Sequence, residues 1–387
     1  MISLEARPAA TTPAHMVPIK KGISVLELER ILAAEVTGQG RKIDFKLPKD
    51  GQSVVLADMW TSIVLGTLAA GNDLRLIAWG LKEIEAASRF TTTPAFLAAL
   101  TMADAIAAEF GTEVDRDAFQ KRLSLTQLGL VEPESGVAQT LVEFDPEFSV
   151  APVLRGGSGF DAVSPLDRNR IFENLIMKFR QRLEVAAIRN GVSPSNAGPA
   201  RSVARFLREL HDNAVEHGSR DRNGRTLSAT RIMRLRKHVA NTKALLVERC
   251  GDFEPLARHV YESFAEGGGA PALVEASISD FGLGIVDGFL LSDAGRRYAR
   301  YGRRDLLQAL IYERLSSKSS DTSAGLGLQN ALIAARQMGA FVSLRTGEFW
   351  LVVSFASDNG EPKLNDVSSA THSRVAGTHW QILWTQS

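Results

Sequence analysis

The sequence predicts an α/β protein: a small N-terminal α/β unit, then a larger α/β sandwich with one helical layer on a mixed sheet. Three observations lead there. Short apolar runs of strand character alternate with helix-periodic ones between Gly22 and Leu123. From residue 162 onward, helices are followed by strands in the order that lays a helical layer on a sheet. The length, 387 residues, suits two such units.

Residues 1–21 mix Pro, Ala and Thr without the charged start and apolar centre of a signal peptide, and read as a flexible lead-in. Within residues 22–123, Lys42 to Leu47 and Ser53 to Leu56 read as short strands, Met59 to Ala70 as a helix, and Leu74 to Trp79 as a buried strand. Thr93 to Phe110 places Phe96, Leu97, Leu100, Ala103 and Ala107 at helical spacing and closes at Gly111, so a helix is expected there. Residues 124–161 form a connection rich in turn residues, with a strand-like piece at Gln139 to Phe144. The glycine run Arg155 to Gly159 lacks the Lys-Ser/Thr ending of a phosphate loop and reads as a plain loop.

Residues 162–387 open with helices expected at Leu166 to Arg189 and Ala200 to His217. A strand follows at Leu273 to Ser279, with Val274, Ala276 and Ile278 on one face, and a helix at Gly327 to Met338. A hairpin is expected from Phe341 to Arg345 and Phe349 to Phe355, and a last strand from Thr378 to Trp384.

Composition narrows the class. Net charge is +1, so bulk electrostatics favours neither nucleic acid nor an acidic substrate. A single cysteine, Cys250, excludes an intrachain disulfide framework and a multi-cysteine zinc site, and fits a reducing cytosol. No apolar run is long enough to span a bilayer, so a cytoplasmic location without a membrane partner is expected.

Three stretches carry chemistry. On the Ala200 to His217 helix, Glu209 and Asn213 stand one turn apart, off the apolar stripe of Val203, Phe206, Leu207, Leu210 and Ala214. An amide oxygen suits Mg²⁺, and a carboxylate beside it can take a proton from an attacking water. The same residues also fit a solvated helix face ending at Gly218. His211 and His217 are not spaced as a metal pair on one helix face.

Asp280 ends a strand and precedes Phe281 and the turn Gly282-Leu-Gly284, where glycine permits close approach of a base and ribose. An acid at that point can accept from the exocyclic amine of adenine. A dinucleotide fingerprint is the competing reading, but its third glycine, Gly288, is misplaced by one. Finally, Gly325-Leu-Gly327-Leu328 opens a helix whose N–H groups suit phosphate oxygens, although a plain loop-to-helix turn has the same look. Between the glycine stretches, Val286 to Ala324 is basic, with Arg296, Arg297, Arg300, Arg303, Arg304 and Lys318 and a helix expected at Asp305 to Arg314; it reads as a lid over phosphates or as a surface insertion.

Taken in order, these stretches resemble the GHKL superfamily, the ATP-binding (Bergerat) fold of DNA gyrase, mismatch-repair ATPases, histidine kinases and anti-sigma-factor kinases. Glu209-x-x-x-Asn213-Ala-x-x-His217 matches the N box, Asp280-x-Gly282-x-Gly284 the first glycine box and Gly325-x-Gly327-Leu328 the second. Gly377-Thr378 resembles the closing Gly-Thr element, and Ser316-Ser317-Lys318 the end of the lid. The resemblance covers Leu166 to Leu383. It implies that Asn213 holds Mg²⁺, Glu209 positions the attacking water and Asp280 reads adenine. The glycine motifs would shape lid and phosphate contacts, with Lys318 reaching the γ-phosphate. The N-terminal unit resembles STAS-type regulatory domains in its strand–helix order, without a motif to fix it.

The expected function is a Mg-ATP-binding, ATP-hydrolysing conformational switch in signalling or regulation, acting on the N-terminal unit, a protein partner or a second copy of the chain. The alternative is a protein kinase of the anti-sigma or histidine type acting on a partner. No histidine in this sequence stands in a phosphoacceptor context, which speaks against autophosphorylation. Arg231 to His238 reads as a solvated basic helix face rather than a nucleic-acid site.

Overall fold

The computed structural model describes residues 14–48, 52–78, 93–108, 113–115, 138–143, 200–217, 231–264, 271–313, 315, 327–356, 364–367 and 372–386. The helix expected at Leu166 to Arg189 lies outside these residues. None of the described helices is long and apolar enough to cross a membrane.

The N-terminal unit runs β1 (His15–Pro18), α1 (Val25–Glu35), β2 (Lys42–Leu47), α2 (Ala57–Ala69), β3 (Asp73–Ala78), α3 (Pro94–Met102) and β4 (Ala105–Ala108). Its four strands pair in parallel in sequence order. Helix α2 packs against both α1 and α3, the arrangement expected when successive parallel crossovers of one hand step the same way along a sheet. Helix α1 starts at Ser24, whose Oγ accepts from the Glu27 N–H at 3.1 Å, and buries Val25, Leu28 and Leu32.

Three expectations fail here. The lead-in is not wholly loose: His15–Pro18 adds an edge strand to β2. Ser53 to Leu56 is not a strand but the approach to α2, with Leu56 in the left-handed region at φ 69°. The helix expected through Phe110 stops at Met102. Asp104 then clasps Leu74, its N–H donating to the Leu74 carbonyl and its Oδ2 accepting from the Leu74 N–H, both at 2.8 Å. That clasp sets Ala105–Ala108 beside β3, and an alanine-rich stretch satisfies either periodicity.

The larger unit contains β5 (Ala138–Glu143), α4 (Ala200–His217), β6 (Arg231–Val239), α5 (Lys243–Glu248), α6 (Glu254–Ser263), β7 (Ala272–Asp280), α7 (Ile285–Leu291), α8 (Arg303–Tyr312), α9 (Gly327–Gln337), β8 (Phe341–Gly347), β9 (Phe349–Ser354), β10 (Asn365–Asp366) and β11 (Val375–Gln386). Its sheet has the order β10-β9-β8-β11-β7-β6-β5. Every neighbouring pair is antiparallel, not mixed as expected. The reason is topological: β11 slots between β8 and β7, and no described helix joins two neighbouring strands as a parallel crossover.

One face of this sheet, with Met233, Leu235, Val274, Ala276, Ile278 and Trp380, packs on α4, α7, α8 and α9. The basic stretch Arg231 to His238 is therefore strand β6, not a helix face. Its Arg234 and Arg236 point to the opposite side, where Asp58 of α2 takes both guanidinium groups. The expected lid is also partly a packed element. Leu306, Leu307, Leu310 and Ile311 of α8 are buried in the core, while Arg303 pairs with Asp287 and Glu348.

The opposite face of the sheet rests on the N-terminal helices. Helix α2 buries every residue from Ala57 to Leu68, as a helix apolar all round must when it lies between two sheets. Trp60 meets Trp350 of β9 at 4.5 Å, and Trp350 stacks on Phe253 at 4.8 Å. Each buried Met, Ile, Leu or Val of α2 contributes roughly 1.5–3 kcal/mol. The result is four layers: parallel sheet, helices, antiparallel sheet, helices.

Candidate functional site

Two groups of side chains stand out, one between α4 and α9 and one at the end of β7. The first lies where α4 and α9 run antiparallel. Ser202, near the start of α4, contacts Gln337 at the end of α9 with Oγ and Oε1 3.1 Å apart. Further along α4, Glu209 and Asn213 reach Gly327, the first residue of α9. A β-carbon on Gly327 would lie 3.3 Å from Glu209 Oε2, 3.4 Å from Asn213 Nδ2 and 3.8 Å from Asn213 Oδ1. Glycine therefore lets the helix start settle on the carboxylate and amide. Glu209 Oε1 is paired with the neighbouring Arg208, and Asn213 Nδ2 is buried with no partner among the described residues. An orphaned polar atom beside a helix N-terminus is unusual in a native interior. Leu328 is half-buried and packs on the helical core.

The second group surrounds Asp280, the last residue of β7, which stands opposite Thr378 of β11. Its Oδ1 accepts from the Gly282 N–H at 3.1 Å and the Thr378 N–H at 3.2 Å. Among the described residues Oδ2 remains the available oxygen. Burial pushes the Asp280 carboxyl up to about 7, against the pull of those two N–H groups and Arg231. The surrounding turns need glycine. Gly284 and Gly377 both have φ 82°, and a β-carbon on Gly377 would sit 1.9 Å from the Asp280 carbonyl oxygen. Thr346 of β8 closes the ring: its Oγ1 accepts from the Ile285 N–H at 3.0 Å and lies 3.3 Å from Thr378 Oγ1.

Glu209, Asn213 and Gly327 thus form one cluster, and Asp280, Gly282, Gly284 and Thr378 another. The elements carrying them touch: α4 lies against β7, and Phe206 of α4 meets Trp380, two residues past Thr378, edge-on at 6.4 Å. Lys318 and Gly325 lie outside the described residues. Sequence reading missed Thr346, which has no local signature and enters only through its register opposite Thr378. It missed Arg208 too, because adjacent helix residues do not ordinarily face each other.

Among the described residues no group of three or more His, Cys, Asp or Glu is placed to hold a metal. Asn213 Oδ1 is the candidate ligand. No protein-family model matches the chain, and no curated protein matches it.

Proposed function

We propose that the larger unit binds Mg-ATP in a Bergerat-type site and hydrolyses it, acting as a switch whose output is the N-terminal unit or another chain. The observation that carries this reading is the meeting of Glu209, Asn213 and the first residue of α9, with an amide left unpartnered. A helix N-terminus offers donors to phosphate oxygens, an amide oxygen suits Mg²⁺, and a carboxylate adjacent to both is where a water-orienting group belongs.

In this reading Asp280 Oδ2 accepts from the exocyclic amine of adenine, while Gly282 and Thr378 hold Oδ1. Gly284 and Gly377 bring the backbone close to the base. Asn213 Oδ1 holds the magnesium, which would neutralise phosphate charge. Glu209 orients and deprotonates the attacking water. Lys318 and Gly325 are assigned to the phosphate side by their place in the sequence motifs. The fully antiparallel sheet departs from the mixed sheet that the resemblance implies, and the reading rests on the side chains rather than on the architecture.

Calorimetric titration with ATP and GTP in the presence of Mg²⁺ tests it. Wild type should bind ATP in preference to GTP, Asp280→Asn should lose that preference, and phosphate release should vanish in Glu209→Ala while binding persists. An unchanged ATP-over-GTP ratio in Asp280→Asn would overturn the assignment of the base site. Transfer of label from ATP to an added partner protein would replace hydrolysis by the kinase alternative.

A further inference from the structure

We propose that Gly66 and Thr67, on helix α2 of the N-terminal unit, are positioning residues for the turn that reads the base, so that the N-terminal unit sets the nucleotide affinity of the larger one. This rests on the ATP reading above.

Phe281 sits between Asp280, the base reader, and Gly282, which donates to its carboxylate. The Phe281 ring does not join the core under the helical layer. It is buried in the core shared with the N-terminal helices. There it lies on the backbone of α2 at Gly66: a β-carbon on Gly66 would be 2.4 Å from both Cδ1 and Cε1 of the ring. The ring also meets His379 of β11, centroids 5.2 Å apart. A buried ring packed on the α2 backbone and on His379 passes a push from α2 to its own backbone, which is the backbone of the Asp280 turn.

The next residue of α2 supports the other strand of the same cradle. Thr67 Oγ1 accepts from the Ala376 N–H at 3.1 Å. Ala376 precedes Gly377, which closes on the Asp280 carbonyl, and Thr378, whose N–H donates to Asp280 Oδ1. Both halves of the cradle, residues 281–282 and 376–378, therefore rest on two adjacent residues of one helix.

Glycine in a helix interior is unfavourable relative to alanine. The close approach of Phe281 supplies the reason for keeping it at position 66. A shift of α2 along or away from the sheet must move one half of the cradle. By linkage, a nucleotide held at Asp280 then favours the seated position of α2 by the same factor that α2 favours the nucleotide.

The test uses the full chain, ATP and GTP titrations with Mg²⁺, and urea unfolding as a control for folding. Gly66→Ala should weaken ATP binding roughly tenfold, within the range usual for coupling between two sites, and narrow the ATP-over-GTP preference. Adding Phe281→Val, which removes the δ and ε carbons, should restore binding to within about threefold of wild type, on the same steric ground. Thr67→Val should weaken binding several-fold, and Thr67→Ser, which keeps the acceptor oxygen, should not.

If Gly66→Ala fails to fold, the Thr67 pair decides. Folded Gly66→Ala and Thr67→Val proteins that bind ATP like wild type would overturn this inference alone. A wild type that takes up no ATP would overturn the ATP reading and this inference with it.

Discussion

Asp58 and Asp280 are both buried aspartates, and their surroundings are opposite. Asp58, on α2, accepts from Arg234 at 2.6 Å and from the Gln52 N–H at 2.8 Å, and is also paired with Arg236. Burial works against its charge, but the two guanidinium groups more than compensate and hold its carboxyl below the usual range. Asp280 has two backbone N–H groups instead, with only the weaker pull of Arg231, and burial wins. A buried carboxylate with matched counter-ions locks a structure. One left short of partners has a free oxygen, and its burial makes sense where a ligand completes it.

The largest effect expected from this contrast is on Asp58. Asp58→Ala leaves Arg234 and Arg236 in the interior without the carboxylate that pairs with both, and two further Arg234 nitrogens have no partner among the described residues. Breaking one side of such a pair costs about 3–5 kcal/mol, and the loss should appear as a lower urea midpoint. An unchanged midpoint would mean that the units are not joined at Asp58 as described.

Asp280→Asn should do the reverse. The folded carboxyl, raised to about 7, lies above its unfolded value near 3.8. The folded protein therefore binds more protons than the unfolded one across that window, and stability falls as pH rises from about 4 to about 7. Asparagine keeps the oxygen that accepts from Gly282 and Thr378 without the buried charge. At pH 8 the variant should be more stable than wild type, by a few kcal/mol at most, and at pH 4 nearly equal to it. For Asp58 the sign is opposite: its lowered value stabilises the fold above the unfolded pKa and is lost as pH falls through the folded one. Urea midpoints measured against pH for both variants separate the two; a lower Asp280→Asn midpoint at pH 8 would make Asp280 a structural residue.

A third effect, smaller than that of Asp58, concerns Glu29 of α1. It pairs with Arg345 of β8 at 3.0 Å. Burial opposes the Glu29 charge, but His372 and Arg345 hold its carboxyl low. Arg345 also donates to the carbonyls of Gly347, Phe349 and Ser373, so its guanidinium keeps partners when Glu29 is removed. Glu29→Gln should lower stability by about 1.5–3 kcal/mol, the range for a hydrogen bond to a charged group. A loss as large as that of Asp58→Ala would show that carbonyl partners do not stand in for the carboxylate.

How much of this was legible in the sequence follows from where each signal lies. Asp280 was visible because strand end, acid and Gly-x-Gly are adjacent in the chain. Glu209 and Asn213 were visible because helical spacing alone puts them on one face. Strand β6 was misread because Arg231, Arg234 and His238 recur at helical steps as readily as Arg234 and Arg236 alternate. The carboxylate that decides for burial, Asp58, stands far away in the sequence, on α2. The support of Phe281 by Gly66 was invisible for the same reason: a glycine in an apolar helix has no local mark of what rests on it. The antiparallel order of the larger sheet depends on β11 inserting between β8 and β7, a choice no single segment carries.

The smallest effect tests whether burial, rather than the Asp–Arg pairing itself, separates Asp58 from ordinary ion pairs. Asp44 of β2 and Arg75 of β3 form a two-pronged pair at 2.8 and 2.7 Å, better in geometry than many buried ones. Asp44 is buried, but Arg75 is 42% exposed, and water screens the guanidinium end of the pair. Pairs of this kind contribute about 0–1 kcal/mol. Arg75→Met should therefore move the urea midpoint little, with most of that shift gone in high salt, whereas the Asp58→Ala loss should persist there because buried charges are screened far less. A salt-resistant loss at Arg75 comparable to that at Asp58 would mean that two-pronged geometry, and not exclusion of water, sets the strength of these pairs.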